Sequence, residues 1–134
     1  VGVSIYEVQY MKNWFNGENI VVTNGNINCL SEQWFNSDYL IEPKLISKNN
    51  NSNSSILASV AGNLCLEQDM ITWRKIKFDT IPEKGDLLIY YNTAGYQMDS
   101  NESEFHKIPL VKKYVVKKND NGYLIEEDKK YDCK

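Results

Sequence analysis

The chain has 134 residues, 42% hydrophobic and 25% charged, with a formal net charge of -3 and a pI near 5.2. That length corresponds to one domain able to bury about two-thirds of its unfolded surface, and the acidic balance excludes the basic face that nucleic-acid binding requires. No apolar run reaches the ~18 residues of a bilayer span and no charged-then-apolar leader opens the chain, so a soluble, cytoplasmic protein is expected.

Strand signals dominate in chain order. VGVSIYEVQYMK nearly alternates, which predicts Val3, Ile5, Glu7 and Gln9 on one face and Tyr6, Val8 and Tyr10 on the other. Asn16-Gly17 predicts a turn into the strand NIVVT, and Asn24-Gly25 predicts a second turn. In SEQWFNSDYLI, Ser31 can cap a short helical turn. KNNNSNSS, residues 48–55, is free of apolar side chains and reads as an exposed loop. SILASVAG then predicts a buried strand. ITWRKIKFDTI sets Ile71, Trp73, Lys75 and Lys77 against Thr72, Arg74, Ile76 and Phe78, a strand with mixed faces.

Pro82-Glu83-Lys84-Gly85 has the residues of a β-turn. The unbroken apolar run Leu87 to Tyr91 predicts a strand covered on both faces. MDSNESEFHKIP reads as a loop, KKYVVKK as a strand, and Asn121-Gly122 as a turn pairing it with YLIEE. With no repeat, heptad or long amphipathic helix, the expected fold is a single all-β domain over residues 1–134. Its form is a Greek-key-like barrel or sandwich with at most short helical turns.

Candidate chemistry is sparse. Cys29, Cys65 and Cys133 are odd in number and widely spaced, which favours reduced thiols over a disulfide framework. His106 is the single histidine, so neither a zinc site nor a self-contained Cys-His pair is supported. The densest stretch is GNLCLEQDM, residues 62–70, where Cys65 stands beside Glu67 and Asp69. Taken alone, Cys65 suits a buried structural position as well as a reactive one.

Four ordered motifs carry a resemblance. They are Gly62-Asn63-Leu64-Cys65-Leu66-Glu67-Gln68-Asp69, Ile81-Pro82-x-x-Gly85-Asp86-Leu87-Leu88, Ala94-Gly95-Tyr96-Gln97-Met98 and Phe105-His106-x-x-Pro109. In this order the chain resembles the C-terminal β domain of the pyridoxal-phosphate-dependent decarboxylases with an alanine-racemase-like fold, which act on ornithine, arginine or diaminopimelate. The resemblance implies pyridoxal 5'-phosphate as cofactor, held through a Schiff-base lysine on an eight-stranded α/β barrel that this chain lacks. It also implies a homodimer whose active sites combine one subunit's barrel with the other's β domain. The chain is then a C-terminal piece or one polypeptide of a split enzyme, inactive alone.

Residue by residue, the resemblance makes Cys65 the catalytic thiol that controls protonation of the decarboxylated intermediate. Asp69 matches an aspartate four positions later that orients this stretch or meets substrate; a plain turn or cap aspartate is the alternative. Tyr96 matches the tyrosine whose hydroxyl meets the cofactor phosphate, against the alternative of one more packing tyrosine. His106 stands where an asparagine is common, as a substrate contact or an ordinary loop histidine. Leu66 departs from the acidic residue that pairs with a substrate's distal amino group. Glu67 is the nearest substitute, although a one-residue shift in a strand turns a side chain to the other face. Glu32 stands where relatives carry a carboxylate-binding arginine, and Arg74 is the only arginine. Those departures disfavour a diaminopimelate-type substrate. They fit divergent relatives of secondary-metabolite or siderophore pathways, or a noncatalytic relative that docks on a decarboxylase and regulates it.

Overall fold

A computed structural model of the chain describes residues 2–13, 16–26, 42–48, 54–64, 69–91, 93 and 112–128. Every regular element among them is a strand: β1 (Val3–Asn13), β2 (Asn19–Thr23), β3 (Lys44–Ile46), β4 (Ile56–Ala61), β5 (Met70–Phe78), β6 (Leu87–Tyr91), β7 (Tyr114–Asn119) and β8 (Gly122–Glu127). The first six form one sheet in the order β3-β6-β1-β2-β4-β5, and β7-β8 form a separate hairpin. The sheets curl into a half-barrel, so the all-β expectation holds. The helical turn expected after Ser31 lies outside the described residues.

The core lies on one face of the sheet, where Tyr6, Val8, Val21, Ala58, Val60, Ile71, Ile76, Phe78, Leu88 and Tyr90 pack together. Each large aliphatic side chain buried here stabilises the fold by about 1.5–3 kcal/mol. Tyr6 and Tyr90 meet edge to face, with ring centroids 5.7 Å apart at 72°. The Tyr90 hydroxyl shares a buried 2.8 Å hydrogen bond with the Thr72 hydroxyl, which satisfies both groups away from water. Burial pushes the Tyr90 phenol well above the usual tyrosine range, and the Thr72 hydrogen bond offsets only part of that.

Local irregularities correct several expectations. On β1, Val8 pairs with Thr23 but Tyr10 pairs with Val22, leaving Gln9 as an extra residue. This bulge reverses the inside-outside frame, so Met11 packs on the core and Tyr10 is exposed. On β5, register shifts against β4 bury Ile71 and Thr72 in succession and expose Trp73, Arg74 and Lys75. A simple two-residue alternation therefore describes neither strand along its whole length.

The turns shift as well. The hydrogen-bonded turn runs from Glu83 to Asp86, closed by the Asp86 N–H on the Glu83 carbonyl at 3.0 Å, with Gly85 at φ 91°. Pro82 precedes it instead of sitting within it. Asn24-Gly25 does not connect antiparallel neighbours, because β2 pairs with β4 in parallel. Parallel neighbours need a crossover, and here the intervening chain visits the far edge of the sheet as β3. Sequence reading assigned no strand to Lys44–Ile46, a three-residue edge element. The β7-β8 hairpin forms as expected, closed at Asn119 and Gly122. Among the described residues no helix is long and apolar enough to cross a membrane.

Candidate functional site

The connection between β4 and β5 contains GNLCLEQDM, and the structure fixes both of its ends. At the exit, the Asp69 carboxylate is turned inward and only 3% exposed. Its Oδ2 accepts a 2.6 Å hydrogen bond from the Leu64 N–H. Its backbone carbonyl accepts the Gly62 N–H at 2.8 Å. Acceptance by a carboxylate makes the Leu64 bond shorter and stronger than one between neutral groups. Gly62 lets the carboxylate in: an ideal Cβ on Gly62 would overlap the Asp69 carboxylate oxygens and lie 2.6 Å from Cγ.

At the entrance, Asn63 ties the connection to the end of β2. Its N–H donates to the Gly25 carbonyl at 2.9 Å, and its side-chain amide donates to the Asn24 carbonyl at 3.0 Å. Asn24 is bound to β1 in turn, donating its N–H to the Glu7 carbonyl at 3.0 Å and accepting the Glu7 N–H on Oδ1 at 2.9 Å. The Thr23 hydroxyl donates to the Ala61 carbonyl at 3.1 Å and accepts the Gly25 N–H at 3.2 Å. Gly25 lies so close to the Tyr6 ring that a Cβ there would overlap its edge carbons. A continuous chain of hydrogen bonds therefore runs from β1 through Asn24 and Asn63 to Leu64, the residue before Cys65. Beside it lies a shallow open depression between Tyr10, Thr23 and Asn63, with Lys84 on its lining.

A second anchor precedes the Tyr96 motif. Thr93 donates its N–H to the Gly2 carbonyl at 3.1 Å, and its hydroxyl hydrogen-bonds that of Ser4 at 2.7 Å. Strands β2 and β6 run antiparallel to β1, and β4 runs parallel to β2. The segments that follow these three strands therefore leave the sheet in the same direction. Asn24 stands beside Glu7, while Thr93 stands beside Gly2. Those five residues of β1 correspond to about 17 Å along the strand.

Of the residues singled out from sequence, Asp69 is placed by the structure, and Cys65, Glu67, Tyr96 and His106 lie outside the described residues. Asp69 is brought to the backbone of its own connection at Gly62 and Leu64. Sequence reading missed Thr23, Asn24 and Asn63 as positioning residues, and Lys84 on the depression. The signal available for Asn24 was its place before a glycine, which was read as a hairpin turn. The turn motif Gly85-Asp86 is structural: Asp86 Oδ2 accepts the Glu83 N–H at 2.9 Å and Oδ1 accepts the Lys48 N–H at 3.2 Å. That turn also docks on the β1 bulge, Gly85 donating to the Val8 carbonyl at 2.9 Å and Val8 to the Asp86 carbonyl at 2.8 Å. No cluster of three or more potential metal ligands occurs among the described residues.

Comparison with known proteins decides the family. Residues 1–95 match the family model of the pyridoxal-dependent decarboxylase, C-terminal sheet domain. The chain belongs to this family. The match ends at Gly95, so it includes the Cys65 connection of the decarboxylase sheet domain and stops one residue before Tyr96.

A curated relative, "Uncharacterized protein y4yA" of Sinorhizobium fredii, is 34% identical over 122 residues, 90% of this chain and 27% of the relative. The chain thus spans about a quarter of that protein's length. Among solved structures, the fold is similar to diaminopimelate decarboxylase from M. jannaschii, with TM-score 0.65 and 19% identity over 94% of this chain and 27% of that one. Another diaminopimelate decarboxylase gives TM-score 0.69 and 16% identity, covering 92% and 30% of the two chains. The arginine decarboxylase of Paramecium bursaria Chlorella virus, solved with agmatine, gives 0.64 and 13%, covering 79% and 28%.

Proposed function

We propose that this sheet domain completes the active site of a pyridoxal-phosphate-dependent decarboxylase acting on an amino acid or an amino-acid-derived intermediate. In this reading Cys65 and Tyr96 reach a site across a homodimer interface, where the partner subunit's barrel holds the cofactor and its lysine. The observation that carries the proposal is the clamp on the β4-β5 connection. Asp69, Gly62 and Asn63 fix the residues on either side of the Cys65 stretch to the sheet, as a positioned catalytic thiol requires.

The residues offered fit such a cofactor. With Asp69 buried against Leu64, its carboxylate is withheld from an anionic phosphate. The phenol of Tyr96 is a hydrogen-bond donor suited to a phosphate oxygen. When bound, pyridoxal phosphate supplies an electron sink for the bond pair left by the departing carboxylate. Cys65 holds a proton at Sγ and delivers it to the reacting carbon, a task for which a thiol near a cationic group is well matched. Asp69 acts through the backbone of the connection instead of touching substrate. Glu67 and His106 are the side chains proposed to meet the substrate.

Leu66 and Glu32 favour a substrate without the distal amino and carboxylate groups of diaminopimelate, of the kind found in siderophore or other secondary-metabolite routes. The same departures support a second reading, a noncatalytic relative that docks on an active decarboxylase and regulates it. A barrel half of matching sequence, mixed with this chain, separates the two. Restored decarboxylation that Cys65→Ala lowers about 10²–10⁴-fold in kcat is the result expected of a lost proton donor. Inhibition of a competent decarboxylase supports the regulatory reading, and turnover by this chain alone refutes the shared-site proposal.

A further inference from the structure

One face of the sheet remains open where β3, β6 and β1 lie side by side. Pairing sets Val3 beside Tyr91, Ile5 beside Ile89 and Glu7 beside Leu87, and sets Lys44 beside Ile89 and Ile46 beside Leu87. Directly paired residues project to one side of a sheet, so these eight share a face. The opposite face carries Tyr6, Leu88 and Tyr90 into the core, with Leu45 packed against them. On the open face Ile5 is 59% exposed and Tyr91 47%, while Val3 and Ile46 are each 45% exposed. Six of the eight residues are apolar. The two charged ones sit at the margins, Lys44 on the edge strand and Glu7 in the last row.

Strand β6 reads LLIYY. A strand with one solvated face alternates polar and apolar residues, whereas a strand buried on both faces is apolar throughout. The sequence of β6 is therefore written for two covers, and this chain supplies one of them. A contiguous apolar patch of aliphatic and aromatic residues is also rare on a self-contained soluble protein. Its apolar centre with charge only at the rim is the composition of a permanent interface rather than a transient one.

We propose that this β3-β6-β1 face is the seat on which the remaining part of the full-length protein packs, through an apolar surface of its own. The choice of occupant rests on length: the chain accounts for only 27% of the relative it matches at 34% identity. Most of such a polypeptide is therefore available as a permanent cover. The proposal needs no decarboxylase activity and stands or falls separately from the shared-site reading.

The test places a photo-crosslinking residue on the face in the full-length protein, as Ile5→p-benzoylphenylalanine and, separately, Ile46→p-benzoylphenylalanine. Leu57→p-benzoylphenylalanine on β4, where Leu57 is also an exposed side chain, is the comparison. After irradiation, crosslinked peptides are identified by mass spectrometry. The expected result is a crosslink from positions 5 and 46 to peptides outside these 134 residues, with about tenfold less product from position 57, which the proposed cover does not reach. Crosslinks from positions 5 and 46 to this same sheet face would assign it to a second copy and overturn the proposal. So would equal, diffuse labelling from all three positions. Both replaced side chains are solvent-exposed within the domain, so the domain's own core is left intact in either variant.

Discussion

The close fit of Gly62 against Asp69 makes a specific energetic prediction. Replacing Gly62 by Ala drives a Cβ into the buried carboxylate, 2.6 Å from its Cγ, and overpacking of this kind costs about 1–3 kcal/mol. Asp69→Ala removes the acceptor of the Leu64 N–H, and the loss of a hydrogen bond to a charged group costs about 1.5–3 kcal/mol. The two costs do not add, because the truncated side chain of Asp69→Ala vacates the space the Gly62→Ala methyl needs. In the Asp69→Ala background, Gly62→Ala is expected to be close to neutral. The double variant is then more stable than the sum of the singles by about 1–3 kcal/mol, within the range seen for residues in contact.

Urea unfolding of the domain followed by tryptophan fluorescence reads this directly. With a slope of about 1–3 kcal/mol/M, a 2 kcal/mol change moves the midpoint by roughly 1 M. Asp69→Asn is the control: it keeps the volume, so Gly62→Ala remains costly beside it. An additive cycle, in which Gly62→Ala costs as much with Asp69→Ala as with the native residue, would refute the clamp.

Other consequences can be measured on the same domain. Tyr90→Phe leaves the buried Thr72 hydroxyl without its 2.8 Å partner and is expected to cost about 1–3 kcal/mol, most of it recovered when Thr72→Val is added. Because the folded-state pKa of Tyr90 is raised by burial, its contribution is complete below the unfolded value near 10 and lost as pH rises beyond it. Alkaline unfolding should therefore be weaker in Tyr90→Phe than in the native chain, and identical pH dependence above that value would contradict the assignment. Asp86→Ala removes a buried acceptor of two backbone N–H groups and is expected to cost about 2–3 kcal/mol in the same urea assay. Lys117→Ala breaks an exposed 2.9 Å pair with Glu126 and should change stability by less than about 1 kcal/mol.

Much of the architecture was legible because β-branched and aromatic runs mark strands wherever they stand. The runs around Ile5, Val21, Val60, Ile76, Ile89, Val116 and Leu124 all became strands. Lys44–Ile46 escaped because three residues between loops carry too little pattern. Facing errors on β1 and β5 have one cause: a bulge inserts residues without changing composition, so the two-residue period continues on paper while the fold changes frame. Pairing partners were not legible at all, since the parallel neighbour of β2 is set by a crossover through the far edge. At the site, the sequence marked Asp69 as important, but the Gly62 contact and the Asn24-Asn63 relay depend on spatial neighbours from three strands. Local spacing does not encode those.

The extra residue at Gln9 divides β1 into two short messages. Before it, the strand answers to β6; after it, to β2. A deletion there would exchange inside and outside only for the residues beyond, leaving the frame of Tyr6 and Leu88 untouched. Each half can thus accumulate changes under its own constraint, the first held by whatever covers Ile5 and the second by the neighbourhood of Asn63. One continuous strand is in this sense inherited as two independent words.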